Sequence, residues 1–135
     1  MRVVFGTDER TALTEAITEE LRSRGHEVAV VADGEQWADV GRAVGEAVAG
    51  GQAERGVVCC WTGTGVSMAA NKVPGVRAAL CTDAETARGA RRWNDANVLA
   101  LSLRLTSPEV AKEMLDAFFA TEPDEDEREQ IARVG

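Results

Sequence analysis

The sequence predicts a three-layer α/β/α sandwich built on a Rossmann-like, doubly wound sheet of five parallel strands. The first observation is that short apolar segments alternate with helical segments five times along the 135 residues. The second is that the apolar segments are continuous, as in parallel strands that are buried on both faces. Because ligands bind at the carboxyl ends of the strands in this class of fold, the loops that follow the strands are the expected site.

The predicted strands and helices follow one another without a long linker. The first strand covers 2–7, and apolar residues at helical spacing predict a helix over 8–24 that Gly25 ends. Asp8 is expected to be the N-cap of this helix, although it also lies at the ligand-binding end of the first strand. The remaining predicted pairs are a strand over 26–33 with a helix over 37–49, a strand over 55–61 with a short helix over 66–72, a strand over 76–81 with a helix over 83–93, and a strand over 97–102 with a helix over 107–120.

The C-terminal segment differs in composition from the rest of the chain. Residues 122–129 contain six carboxylates and one arginine, which is typical of a solvated, partly mobile segment. We therefore expect a single α/β domain over 1–121 and an acidic C-terminal tail over 122–135.

Composition and charge exclude several classes of function. The net charge is −8, from 15 basic and 23 acidic residues, and no basic patch of a nucleic-acid-binding protein is visible. No apolar run approaches the roughly 20 residues that span a membrane, and the N-terminal residues do not resemble a signal peptide, so a cytoplasmic protein is expected. Three cysteines without a C-x-x-C spacing and one histidine do not form a metal-binding motif, so no metal is expected.

The most distinctive segment is CWTGTGVS at 60–67, which follows a predicted strand and opens a predicted helix. Glycines there let the backbone approach a ligand, and free amides at a helix start favour an anion or an oxyanion. The segment matches neither the dinucleotide fingerprint nor the Walker loop. It therefore predicts an anion-binding turn, and Cys60 beside it is either a base or nucleophile or a small core residue.

The other candidate residues are weaker on local evidence. Cys59 should face the opposite side of its strand from Cys60 and belong to the core, and Cys81 is also expected to serve packing. His26 lies at the amino end of a predicted strand, which is the wrong end for a site. Trp61 and Trp93 flank candidate ligand loops, where they serve either packing or the wall of a pocket.

Taken together, these segments resemble the RpiB/LacA/LacB family of type B ribose-5-phosphate and galactose-6-phosphate isomerases. The matching blocks are T-G-x-G-x-S-x-x-A-N-K at 62–72 and N-D-A-N-V-L-A-L at 94–101, with FGTD at 5–8 and VRAALC at 76–81 in the same order. The resemblance implies an aldose–ketose isomerase that works through an enediolate without a cofactor. It also implies a homodimer or tetramer whose active sites are shared between subunits and bind a sugar or sugar phosphate.

The resemblance assigns roles to individual positions. Cys60 falls on the carbon base, with Asp8 and Thr62 as the other catalytic candidates. The loop 63–67 falls on the anion hole, and Arg104 falls on a phosphate-contacting arginine of some members. The residues expected to bind substrate are Glu9, Trp61, Gly63, Thr64, Gly65, Val66, Ser67, Trp93, Asn94 and Arg104.

Departures from the family pattern bear on the substrate. Glu9 and Trp93 stand where the family usually has histidine, Trp61 stands where it has glycine, and carboxylates within 126–131 align with its phosphate-binding arginines. Ring opening then falls to Asp8, Glu9 or water. Since carboxylates repel a phosphate, we expect a substrate other than the standard ribose 5-phosphate. The alternatives are a non-catalytic homologue that binds a sugar or metabolite, and an isomerase or epimerase of a specialised metabolite.

Overall fold

The computed structural model describes residues 1–135 and contains a five-stranded parallel sheet in the order β2-β1-β3-β5-β4. The predicted fold class is confirmed. The strands are β1 (Arg2–Thr7), β2 (Glu27–Asp33), β3 (Arg55–Cys60), β4 (Ala78–Leu80) and β5 (Val98–Ser102). The helices are α1 (Ala12–Ser23), α2 (Trp37–Ala49), α3 (Thr64–Asn71), α4 (Ala84–Asn94), α5 (Pro108–Ala120) and α6 (Arg128–Val134). None of these helices combines the length and apolar character needed to traverse a bilayer.

Two hydrophobic cores, one on each face of the sheet, form the three layers. One core of 18 buried residues packs α1, α4 and α5 against the sheet, and the other, of 14 buried residues, packs α2 and α3 against the opposite face. Because neighbouring residues of a strand point to opposite faces, Cys59 belongs to the first core and Cys60 to the second. This division confirms the prediction that the two adjacent thiols face apart.

The prediction that every strand is buried on both faces holds only for the centre of the sheet. The strands β1, β3 and β5 are buried along nearly their whole length, whereas the edge strand β2 leaves Val30 and Val31 exposed. The other edge strand, β4, is only three residues long and half-buried. The Asn71 side chain accepts from the Ala78 N–H at 2.7 Å and donates to its carbonyl at 2.9 Å. This side chain occupies the open edge of β4, where an unpaired strand would otherwise invite pairing with another chain.

The prediction that Asp8 caps the first helix is wrong. The N-cap is Thr11, whose hydroxyl accepts from the Thr14 N–H at 3.3 Å, while the Thr14 hydroxyl accepts from the Thr11 N–H at 2.9 Å. This reciprocal pair satisfies two amides that a helix start leaves without partners, so the helix begins at Ala12. Asp8 is thereby left in the loop after β1, at the carboxyl edge of the sheet.

The acidic tail contains a 3₁₀ turn (Glu125–Glu127) and the helix α6, although its side chains are largely exposed. It is attached to α4 by polar contacts. The Asp124 N–H donates to the Arg92 carbonyl at 2.8 Å, and the Asp124 carboxylate pairs with the Arg92 guanidinium at 3.1 Å. The buried Arg91 side chain donates to the Thr121 carbonyl at 3.0 Å, just before the tail begins.

The single histidine contributes to stability in a pH-dependent way. The His26 ring packs against the tilted ring of Phe119 at a centroid distance of 4.6 Å, and its Nδ1 atom lies 3.2 Å from the N-terminal nitrogen. Burial, followed by the positive charges of the N-terminus, Arg24 and Arg55, lowers the pKa of His26. Because the folded pKa lies below the unfolded value, the free energy of unfolding is expected to decrease as the pH falls from about 6.5 through the folded pKa.

Urea unfolding between pH 8 and pH 5, compared with the His26→Gln variant, checks this expectation. The variant should show a flatter dependence of the unfolding free energy on pH over this range. Parallel pH profiles for the two proteins would contradict it.

Candidate active site

The candidate site lies where β1, β3 and β5 end, next to one another at the carboxyl edge of the sheet. In the register of the sheet Thr7 is paired with Cys59, and Cys60 is paired with Ser102. The Asp8 N–H donates to the Cys59 carbonyl at 3.3 Å, so that Asp8 follows β1 directly beside the end of β3. The sheet thus brings together three residues that are far apart in the sequence: Asp8, Cys60 and Ser102.

Of the three thiols, Cys60 alone stands at this edge beside the glycine loop. Burial raises the pKa of Cys59 far above its ordinary value, and burial together with Asp83 raises the pKa of Cys81 to about 11. Neither of these residues is therefore a source of thiolate near neutral pH. Cys60 is 5% exposed, and its backbone carbonyl accepts from the Leu103 N–H at 3.0 Å.

The loop after Cys60 presents free amides to the edge of the sheet. Gly63 is the N-cap of α3 in a left-handed conformation with φ 78°, and no side chain caps this helix. The first helical bond is the Ser67 N–H donating to the Gly63 carbonyl at 3.2 Å, which leaves the amides of Thr64, Gly65 and Val66 without a partner in the chain. Three converging amides at a helix start are the groups that stabilise an oxyanion.

Close packing holds this loop in place. A Cβ on Gly63 would lie 2.5 Å from Leu80 Cδ1 and 3.0 Å from the Leu101 carbonyl carbon, so only glycine fits there. A Cβ on Gly65 would lie 2.7 Å from the Trp37 ring, which backs the loop from the start of α2. The contact with Trp37 is a support that sequence reasoning missed, because nothing in the local pattern links residue 37 to residue 65.

The loop after β5 fixes the position of Trp61. The Trp61 carbonyl accepts from the Ser102 hydroxyl at 3.0 Å and from the Arg104 N–H at 2.9 Å. The Trp61 side chain itself is 58% exposed at the rim of the site, and the neighbouring Leu105 is 63% exposed. Arg104 is exposed and forms no ion pair within the chain, which leaves its guanidinium free for an anion.

Asp8 is a carboxyl group with an unsatisfied oxygen. Its Oδ1 atom is buried without a hydrogen-bond partner. Burial, and then the neighbouring Glu9 carboxylate, raise the pKa of Asp8 above its ordinary value. A carboxyl group whose pKa is raised in this way is suited to exchanging protons with a substrate oxygen. The Glu9 side chain is exposed, and the Glu9 carbonyl accepts from the Thr7 hydroxyl at 2.7 Å.

Not every predicted substrate-binding residue has a side chain that is accessible to a substrate. The Val66 side chain is fully buried in the core, so Val66 contributes only its amide to the edge of the sheet. Thr62 lies on the loop after Cys60, Thr64 and Ser67 lie in the first turn of α3, and all three retain exposed surface.

The structure does not bring Trp93 and Asn94 to Cys60 within one chain. They end α4, which returns the chain to the amino edge of the sheet, where the next residue, Asp95, pairs with Arg77 at 3.2 Å. There they line a cavity of about 610 Å³ together with Arg77 and residues of α6. Cys60 and its loop line none of the five main cavities. None of these five cavities therefore joins Cys60 and its loop to Trp93 and Asn94.

Comparison with known proteins identifies the family of this chain. The family model described as Ribose/Galactose Isomerase matches residues 3–134, which include the glycine loop and both ends of the sheet. The chain belongs to the Ribose/Galactose Isomerase family. This finding confirms the resemblance drawn from the residues.

Named relatives agree with this assignment. The galactose-6-phosphate isomerase subunit LacB of Clostridium acetobutylicum is 41% identical over 108 residues, covering 76% of this chain and 61% of that protein. The D-erythrulose-4-phosphate isomerase of Pectobacterium atrosepticum is 42% identical over 86 residues, covering 64% of this chain and 57% of that protein. The alignments span about 40 to 61% of the length of the first curated relatives.

A solved structure supports the fold over the full chain. The structure of Clostridium thermocellum ribose-5-phosphate isomerase B superposes with a TM-score of 0.92 at 37% identity, covering 100% of this chain and 95% of that one. The Ribose/Galactose Isomerase fold is therefore present throughout residues 1–135, with the acidic tail included in the superposition.

Proposed function

We propose that this member of the Ribose/Galactose Isomerase family is an aldose–ketose isomerase that uses Cys60 as its carbon base. The observation that carries the proposal is the position of Cys60 at the end of β3, four residues before the first of the free amides of 64–66. In the reaction the Cys60 thiolate removes the proton from the carbon next to the carbonyl. The loop amides donate to the oxygen that becomes negative in the enediolate.

The remaining proton transfers fall to neighbouring groups. Asp8, with its raised pKa, exchanges the proton between the two oxygens of the enediolate. The Cys60 thiol then returns the carbon-bound proton to the adjacent carbon, which converts the aldose into the ketose. These steps need no cofactor, because the proton moves between two carbons and no electrons leave the substrate.

The proposed substrate is a sugar or sugar phosphate other than ribose 5-phosphate, because carboxylates within 126–131 align with the phosphate-binding arginines of the family. The exposed Trp61 indole, where the family usually has glycine, offers an apolar surface that suits the C–H face of a sugar. The unpaired Arg104 is the cation proposed for a phosphate or another acidic group. Four- to six-carbon aldoses and their phosphates are therefore the first substrates to assay, with NMR of the products to separate isomerisation from epimerisation.

We propose further that two copies of the chain build each active site. Trp93 and Asn94 end α4 near the amino edge of the sheet, whereas Cys60 ends β3 at the carboxyl edge. Three apolar side chains on the segments that follow β3 and β5 are 58%, 59% and 63% exposed in the single chain, namely Trp61, Met68 and Leu105. A second copy that places its Asn94 against this rim would both cover these side chains and close the pocket.

Co-expression of two variants tests the shared site. Cys60→Ala and Asn94→Ala should each have little activity alone, because each removes one group from every site. In mixed dimers one site receives both intact groups, so random pairing should restore on the order of a quarter of the unaltered activity. A co-expressed pair no more active than either variant alone would contradict the shared site.

A second candidate is a homologue that binds a sugar or metabolite without turnover. The observation that favours it is the low exposure of Cys60, 5%, together with the histidine positions occupied by Glu9 and Trp93. The two candidates are separated by the same assay. Turnover of any sugar in the panel that is lost on changing Cys60 excludes the binding protein, whereas binding of a sugar without turnover excludes the isomerase.

A further inference from the structure

We propose that the paired hydroxyls of Thr62 and Thr64 form a proton relay that opens the ring of the bound sugar. This inference rests on the proposed isomerase function and assigns ring opening, for which the sequence offered Asp8, Glu9 or water, to the hydroxyl pair. The Oγ1 atoms of the two residues lie 2.8 Å apart, and either one is able to donate to the other. This is the usual separation of two hydroxyl oxygens joined by a hydrogen bond.

The turn between the two residues sets this contact. Gly63 separates them in the left-handed conformation and is packed against Leu80 and the Leu101 backbone, so the turn has little room to change. Thr64 is the first residue of α3. The carbonyl of Trp61, just before Thr62, accepts one hydrogen bond from Ser102 at the end of β5 and one from Arg104 in the loop that follows. Threonine is stiff at χ1, so backbone positions fixed in this way also limit where the hydroxyls point.

Ring opening requires a group that accepts one proton and donates another. The proton of the anomeric hydroxyl must leave, and the ring oxygen must gain a proton as its bond to the anomeric carbon breaks. The only histidine, His26, lies at the amino edge of the sheet against Phe119 and cannot take part. Thr62 and Thr64 are exposed and lie two and four residues beyond Cys60, beside the position proposed for the sugar carbonyl.

The relay takes up and releases equal numbers of protons, so it needs no other proton donor or acceptor. The anomeric hydroxyl gives its proton to Thr62 Oγ1, the Thr62 proton passes to Thr64 Oγ1, and the Thr64 proton goes to the ring oxygen. The carbonyl double bond forms as the bond between the anomeric carbon and the ring oxygen breaks. Each threonine ends with one proton, as it began, since a hydroxyl has one donor and two acceptor positions. The relay therefore does the work of an acid and a base with two neutral groups.

The test separates the ring step from the carbon step by using two probes. The first is conversion of the D-aldopentose 5-phosphates, which close to furanose rings through O4. The second is incorporation of deuterium from D₂O into D-ribulose 5-phosphate and D-xylulose 5-phosphate, which stay open because O5 carries the phosphate. Only the first probe needs the ring to open, whereas both need the carbon base.

Thr64→Val keeps the shape of the side chain and removes the hydroxyl. We expect it to lower conversion of the aldose phosphates by about 10- to 100-fold, and to lower deuterium incorporation into the ketose phosphates by a much smaller factor. Thr64→Ser, which restores the hydroxyl, should recover most of the conversion rate. Thr62→Val should show the same selective loss as Thr64→Val.

The possible outcomes are distinct. An equal loss in both probes would assign Thr64 to support of the loop and overturn the relay, as would no loss in either. Incorporation of deuterium into a ketose phosphate by the unaltered protein, without conversion of any aldopentose 5-phosphate, would also overturn the relay, because the carbon base would then work without a ring-opening step. Retention of both activities by Cys60→Ala would instead overturn the proposed function, and a selective loss in Thr64→Val would still be visible in that case.

Discussion

Cys60→Ala is expected to lower the rate of isomerisation by about 100- to 10,000-fold, the range for loss of a positioned acid or base. The reason is that Cys59 and Cys81 cannot take over, because burial raises the pKa of both thiols. Asp8 is beside the same strand end, but its proposed task is at the substrate oxygens. The measurement is kcat/KM for the best substrate of the sugar panel.

Cys81→Ala is the matched control for this substitution. It removes the same atoms from a fully buried thiol at the end of β4, which is not on the glycine loop. Both variants should lose stability to a similar extent, of the order of 1 kcal/mol for a small buried group, whereas only Cys60→Ala should lose activity. Equal activity in the two variants would show that Cys60 is a core residue and nothing more.

Gly63→Ala should cause the second largest loss of activity. It displaces the backbone amides of 64–66 and removes no catalytic side chain. The alanine Cβ would lie 2.5 Å from Leu80 Cδ1 and 3.0 Å from the Leu101 carbonyl carbon, on a residue with φ 78°. The loop must shift to admit it, which moves the amides of 64–66 away from the oxyanion. Loss of one oxyanion donor costs about 100- to 1,000-fold in kcat, and we expect a loss in this range.

Gly25→Ala separates backbone strain from loss of the site. Gly25 also has a positive φ, 86°, but a Cβ there meets nothing within 4 Å, and it lies at the amino edge of the sheet. This control should lose roughly 1 kcal/mol of stability from the left-handed conformation and retain kcat. Should Gly25→Ala lose as much activity as Gly63→Ala, the effect would come from general destabilisation and not from the amides.

The fold is largely predictable because the central strands follow simple rules. The strands β1, β3 and β5 are continuous apolar segments, and each is buried as such segments are in a parallel sheet. Their carboxyl ends had to meet at one edge, which places Asp8 beside Cys60. The start of α1 was not predictable from Asp8 alone, since Thr11 and Thr14 satisfy the first amides better as a reciprocal pair.

The site is only partly predictable from the sequence. One difficulty is that some candidate residues precede a strand, whereas others follow one. Trp93 and Asn94 precede β5, and a residue that precedes a parallel strand lies at the amino edge, opposite to one that follows a strand. The order of strands and helices alone therefore predicts that Trp93 and Asn94 lie at the opposite edge of the sheet from Cys60. The contact between the Thr62 and Thr64 hydroxyls could not be predicted in this way, because it depends on the left-handed turn at Gly63 and on packing against residues 80 and 101.

Deuterium incorporation tests the central claim, that the Cys60 sulfur removes a proton from carbon, most directly. The ketose product of the best substrate is incubated in D₂O with the unaltered protein or with Cys60→Ala, and proton NMR follows the carbon next to the carbonyl. We predict that the unaltered protein exchanges the hydrogen on that carbon with solvent, and that Cys60→Ala leaves it unexchanged. Exchange by Cys60→Ala at the unaltered rate would contradict the account, since another group would then be the base.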